Sequence, residues 1–163
     1  MDREAPGRDS ACMFSASSRP SSIGAYLTAM GWVDEPILAA GQLRQGRWLV
    51  DALRPRRCRA LPRQFVLAVT RSGVAAFEAW GGSDGLGIKP GIRATFGRDE
   101  IELIDLSRGP ASRGATMRVR DERFPVCRPD LHRDWDTDEL MALLGGLPPL
   151  QVPKEPAWAA FSL

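Results

Sequence analysis

The stretch QFVLAVT-RSG-VAAFEAW, residues 64–80, limits the folds open to this chain more than any other. Two apolar runs flank Arg71-Ser72-Gly73, and Phe65, Leu67 and Val69 share one face of the first run. Apolar runs joined by a short link that ends in glycine predict a β-hairpin, with Gly73 left-handed as the last loop residue. One hairpin cannot hide its own apolar faces in water, so the rest of the chain must build sheet or helix around it.

The neighbouring sequence supplies that material. EPILAAGQL reads as a first strand over Ile37 to Leu43, and RWLVDAL as a second candidate. Beyond the hairpin, IRATF (92–96), EIELIDL (100–106), TMRVR (116–120) and RFPVCR (123–128) continue the pattern. Ile101 and Leu103 alternate with Glu102 and Ile104, and Met117 and Val119 with Arg118 and Arg120, as in strands with one buried face. Pro125 has no amide to donate, which predicts that its strand lies at a sheet edge.

Two segments change to helical spacing. In SSIGAYLTAMGW, Ile23, Tyr26, Leu27 and Met30 recur at helical intervals, Ser21 or Ser22 is the cap, and Gly31 is the stop. In DTDELMALLGGLPP, Asp136 and Glu139 form a capping box, and Leu140, Leu143, Leu144 and Leu147 make one apolar stripe. This predicts a helix over about 137–147, ended by Gly145, Gly146 and Pro148-Pro149.

Residues 1–20 are small, polar and charged, and are expected to be disordered. Residues 21–147 are expected to form a single β-rich domain with the helix at its end. Residues 148–163 are proline-punctuated, then apolar at Trp158, Phe161 and Leu163. Those side chains either fold back on the domain or dock on another protein. The expected fold is mainly β, of the α+β class: a small, partly open antiparallel barrel capped by one C-terminal helix.

Composition narrows the function classes. The formal charge of +2 is too small to imply a nucleic-acid partner by itself. Of the 22 basic residues only Lys89 and Lys154 are lysine. Cys12, Cys58 and Cys127 lack the spacing of a zinc site or a secreted disulfide framework. No run reaches the ~18 apolar residues of a membrane span, and the start has no secretory apolar core. A cytoplasmic protein, possible at the membrane periphery, is the expectation.

The run LAVTRSGVAAFEA, with RATFGRDEIELIDL behind it and the final helix around DELMALL, resembles the pleckstrin-homology-like and GRAM-like domains of bacteria. The similarity covers about residues 36–147. Members commonly carry a basic residue just before the returning strand, where this chain has Gly73. The resemblance implies a binding scaffold that engages lipid headgroups, peptides or other proteins, and is rarely catalytic.

Candidate contacts follow from residue chemistry. Arg54, Arg56, Arg57, Arg59 and Arg63 crowd RPRRCRALPR, and planar guanidinium groups suit phosphate and carboxylate. In the resembled domains an early hairpin loop holds the basic headgroup ligands, and this cluster lies in a comparable place. Another protein is the expected partner, through these arginines or through Trp158, Phe161 and Leu163. An anionic membrane surface is the alternative, and nucleic acid is disfavoured because no groove-reading motif accompanies the cluster. A small enzyme or ligand-binding barrel around His132, beside Asp130, Asp134 and Cys127, is the reading from another class. No catalytic residue, metal ligand or cofactor is assigned. GGSDGLGIKPG, residues 81–91, fails as a phosphate loop because Pro90 follows Lys89 and a strand rather than a helix comes next. It reads as a mobile connection between strands.

Overall fold

The computed structural model describes residues 22–47, 58–82, 85–106, 114–129 and 135–148. The predicted hairpin is present as β2 (Gln64–Val69) and β3 (Val74–Gly82), with Val69 opposite Val74. Both faces of β2 are buried from Phe65 to Val69, which explains its unbroken apolar run. The turn closes with the Thr70 amide donating to the Gly73 carbonyl at 2.8 Å. Gly73 is not left-handed as expected. A Cβ there would lie 2.6 Å from the carbonyl oxygen of Phe96, so glycine is needed for close approach of a neighbouring strand.

That neighbour is β5 (Ala94–Phe96), which pairs with the first part of β3. The second part of β3 pairs with β4 (Gly85–Ile88), inside the glycine stretch that the sequence reads as a mobile connection. The correction has a local cause. Trp80 sits opposite Gly87, and its indole occupies the space a Cβ on Gly87 would need, 2.1 Å from Trp80 Cε2. An aromatic ring laid across a glycine restores the packing that glycine lacks in a strand. Gly81, with φ of 84°, provides the left-handed twist at this end.

The remaining strands are β1 (Ala39–Gln45), β6 (Ile101–Asp105), β7 (Gly114–Val119) and β8 (Glu122–Cys127). The sheet order is β4-β3-β2-β1-β8-β7-β6, with β5 also on β3 and every pairing antiparallel. The RWLVDAL candidate lies largely outside the described residues. β8 is not an edge strand, contrary to the reading of Pro125: β7 flanks it along its length and β1 at Arg44 and Gln45. Proline is tolerated because the β1 ladder stops there. The Gly46 amide donates to the Pro125 carbonyl at 2.8 Å, and the absent proline amide faces that same departing side.

β5 and β6 are consecutive in the chain yet lie in opposite parts of the sheet, so the sheet must curl until residues 97–100 can bridge them. Arginines of the β7–β8 hairpin hold this link. Arg118 Nη2 donates to the Asp99 carbonyl at 3.0 Å, and the Arg120 guanidinium lies 5.5 Å from the Phe96 ring centre.

Curling separates two apolar clusters. The inner one gathers Leu43, Phe65, Leu67, Met117, Phe124 and Leu140, among others. The outer one joins Val66, Phe77, Leu86 and Ile88 to Ile23 and Leu27 of α1 (Ser22–Ala29). As the sequence predicts, Gly31 stops α1. Its φ is 68°, and the Trp32 amide reaches back to the Leu27 carbonyl at 3.1 Å, the bond of a glycine-ended helix.

Helix α2 (Trp135–Leu144) covers the inner cluster where β1 and β8 part. Leu140 and Leu144 are buried as the stripe predicts, with Met141 beside them. Gly41 lets the helix settle directly on β1, since a Cβ there would lie 2.7 Å from Thr137 Cα. The Gln42 amide, beyond the short β1–β8 ladder, donates to Thr137 Oγ1 at 3.2 Å. Gly146, with φ of 66°, ends the helix, and the Leu147 amide returns to the Ala142 carbonyl. The predicted capping box is corrected. The helix starts at Trp135, which puts Asp136 inside its first turn, and the Asp136 carboxylate accepts the amide of Ile23 in α1 at 2.9 Å.

Candidate partner-binding surfaces

The sequence places its arginine cluster between two early strands, and the structure makes that segment the connection between β1 and β2. Arg59 and Arg63 are exposed, while Arg54, Arg56 and Arg57 lie outside the described residues. Arg44, half-buried on β1, directs Nη2 to the Cys127 sulfur at 3.8 Å. The base of the connection is fastened by Gln45. Its Nε2 meets the carbonyls of Cys58, Leu61 and Pro62 at 2.9, 3.0 and 3.1 Å, and its Oε1 accepts the Cys58 amide at 2.8 Å. Buried polar backbone needs such partners, and one side chain provides four of them. Burial pushes the Cys58 thiol above its ordinary pKa.

His132, Trp158, Phe161 and Leu163 also lie outside the described residues. The carboxylates that follow His132 on α2 have structural roles. Asp136 holds α1, and Asp138 is ion-paired with Arg128, both of them buried. Glu139, partly buried and close to Asp136, is pushed above the ordinary carboxylate range, first by burial and then by that charge. Among the described residues no group of three or more His, Cys, Asp or Glu is placed to hold a metal ion. Among the same residues no helix is long and apolar enough to cross a membrane.

A cleft of about 440 Å³ opens between the segment after α1 and the β5 corner, lined in part by Trp32, Glu35, Ser72, Ile92 and Phe96. The Glu35 carboxylate is held by the Ser72 hydroxyl, which lowers its pKa, and by the Ser72 amide at 3.3 Å. At the same corner Glu100 accepts the Gly97 amide at 2.6 Å and the Arg120 guanidinium at 3.1 Å, and both draw its pKa down. These carboxylates are engaged in fixing loops.

Another cleft, about 220 Å³, lies between β6 and the end of α2, and sequence reasoning missed it. Arg98 and Glu102 line it together with Ile101, Leu103, Leu143 and Leu144. The phase of the β6–β7 ladder decides what β6 presents there. The Arg120 amide donates to the Glu100 carbonyl at 2.6 Å, and Glu102 pairs with Arg118 two residues on. Bonded and non-bonded pairs alternate in an antiparallel ladder, so Ile101 and Leu103 turn their backbone amides and carbonyls away from β7, and both residues are buried. Among the described residues β6 pairs only with β7. A bulge between Leu103 and Asp105 ends the regular register and leaves Ile104 43% exposed. The signal was present as the alternation of Ile101 and Leu103, but alternation reports faces and not which edge lacks a neighbour.

Compared with known proteins, the chain matches no family model and no curated protein.

Proposed function

We propose that this chain is a non-enzymatic binding module of pleckstrin-homology-like form, and that its partner is another protein. The strands follow chain order around the curl, with a seam between β5 and β6 and the last helix over the parting of β1 and β8. That arrangement supports the resemblance. The reading is carried by one observation: β6 ends the sheet, pairing among the described residues only with β7, and past its bulge leaves the apolar Ile104 43% exposed. A terminal strand with an exposed apolar side chain suits an extended peptide, whose main chain gives affinity and whose alternate side chains give selectivity.

The test is selection of random displayed peptides on the purified chain, followed by amide-exchange mapping of a selected peptide. Slowed exchange at Ile101 and Leu103 is the expected result. Protection confined to another surface, or a failure to select any peptide, overturns the reading.

A second reading, anionic lipid headgroup binding, is favoured by the exposure of Arg59 and Arg63 on the β1–β2 connection. Each basic residue at an anionic surface adds about 1 kcal/mol. Co-sedimentation with phosphatidylserine vesicles that falls with salt, and with Arg56→Ala plus Arg57→Ala, is its expected behaviour. Salt-independent partitioning rules it out.

A further inference from the structure

We infer that the cleft of about 440 Å³ between the segment after α1 and the β5 corner receives a basic side chain of a protein partner, its aliphatic stem on an apolar floor and its charged head at Asp34 and Glu35. This surface is separate from the β6 edge, and the inference does not rest on strand addition there.

The floor is accessible and firmly built. Trp32, Val33 and Ala75 line it half-buried, and Ile92, which also lines it, is 48% exposed. Trp32 is fixed in place: it stacks on Phe77 with ring centres 6.0 Å apart and meets Tyr26 edge-on at 5.6 Å. The volume lies in the range of sites that enclose a small organic group. A lysine or arginine stem covers apolar surface of this kind while its charged end stays near water.

Charge selects the occupant. Every charged residue among those that line the cleft is acidic: Asp34, Glu35 and Glu100. Glu100 is answered by Arg120 at 3.1 Å. Glu35 is held by Ser72, a neutral partner, so its negative charge remains. Among the described residues the exposed Asp34 makes no hydrogen bond or ion pair. Arg98 turns to the Thr70 carbonyl at 3.4 Å, and Arg71 and Arg93 are exposed outside the lining. Two adjacent carboxylates beside an apolar floor attract a cationic head and repel an anionic one.

The test is an NMR titration of the full chain with the capped peptide ALRLA, with ALQLA and ALELA as comparators. Saturating shifts at the amides of Val33, Asp34, Ser72 and Thr95 are expected with ALRLA, with weaker binding of ALQLA and weaker still of ALELA. Asp34→Asn should weaken ALRLA about threefold, the scale of one exposed ion pair, and raised salt should weaken it further. Equal affinities for the three peptides overturn the inference, as do shifts confined to other surfaces or a variant that binds ALRLA as the parent does. Free argininamide separates the floor from charge alone: if it binds as tightly as ALRLA, the floor contributes nothing and the docking site falls. The titration and the β6 mapping follow different amides, so either result can fail without the other.

Discussion

The Asp136 carboxylate accepts the Ile23 amide at 2.9 Å across 113 residues of chain, so the first turn of α2 holds the first turn of α1. A helix N-terminus leaves amides without internal partners, and here a distant side chain supplies the acceptor. Asp136→Ala should cost about 1–3 kcal/mol in urea unfolding, because the buried amide loses its partner. Asp136→Asn, which keeps an acceptor, should cost less. Equal losses in both variants would show that the bond is not what holds α1.

Two glycine substitutions should have opposite signs. Gly41→Ala drives a Cβ to 2.7 Å from Thr137 Cα and should destabilise by about 1–3 kcal/mol through overpacking. Gly24→Ala, in α1, brings a Cβ no closer than 3.4 Å to Ile37 Cγ2, with Ile37 Cβ and Ala40 Cβ at 3.8 and 4.0 Å, and should stabilise by up to about 1 kcal/mol through helix propensity. Melting temperatures of the two variants against the parent check the pair.

The buried Arg128–Asp138 pair, 3% and 4% exposed, predicts strong non-additivity. Arg128→Met alone strands a buried carboxylate and should cost about 3–5 kcal/mol. Adding Asp138→Leu should recover a large part of that loss. A double-mutant cycle that comes out additive contradicts the pairing.

Acid titration should separate two glutamates. The Gly97 amide and then Arg120 lower the Glu100 pKa, so its contribution is present above the ordinary carboxylate range and is lost as pH falls through the lowered value. Glu139 is raised by burial, so its contribution is present below the ordinary range and is lost as pH rises through the raised value. Glu100→Gln should therefore weaken the fold at neutral pH, and Glu139→Gln should strengthen it. From neutral to acid pH the Glu139 difference should close once pH falls below the ordinary carboxylate range, and the Glu100 difference only once pH falls through its lowered value. Urea midpoints across that pH range provide the measurement.

Gln45→Leu preserves bulk but removes the partners of Cys58, Leu61 and Pro62, and should cost about 1–3 kcal/mol for each buried group left unsatisfied. Trypsin should then cut faster between Arg47 and Arg63. An unchanged cleavage rate would mean that the base of the connection is held by something else.

The sequence made some of this legible and hid the rest for identifiable reasons. Phe65, Leu67 and Val69, the stop at Gly31 and the stripe through Leu140 and Leu144 are local patterns, and each appears where spacing puts it. Gly73 was readable as a turn, but its reason, the approach of Phe96, lies in a strand 23 residues later. Gly85–Ile88 looked like a connection because glycines carry no face, and only Trp80 across the ladder makes them a strand. Pro125 signalled an edge correctly at the level of one amide, although its strand is interior. The site residues divide in the same way. Arg59 and Arg63 could be found by charge, whereas the place of Ile101 and Leu103 on the last strand of the sheet depends on sheet order, which no local window contains.

The fastening by Gln45 has a consequence for how the molecule can vary. Its amide ties the last residue of β1 to Cys58, Leu61 and Pro62, so residues 48–57 depart from and return to an anchored base while the β1–β2 register is set by pairs beyond it. Doubling the length of such an excursion adds only about 0.6 kcal/mol of closure entropy. A longer or different sequence between Arg47 and Cys58 is therefore expected to leave the strands below with their partners, because what fastens them lies outside it.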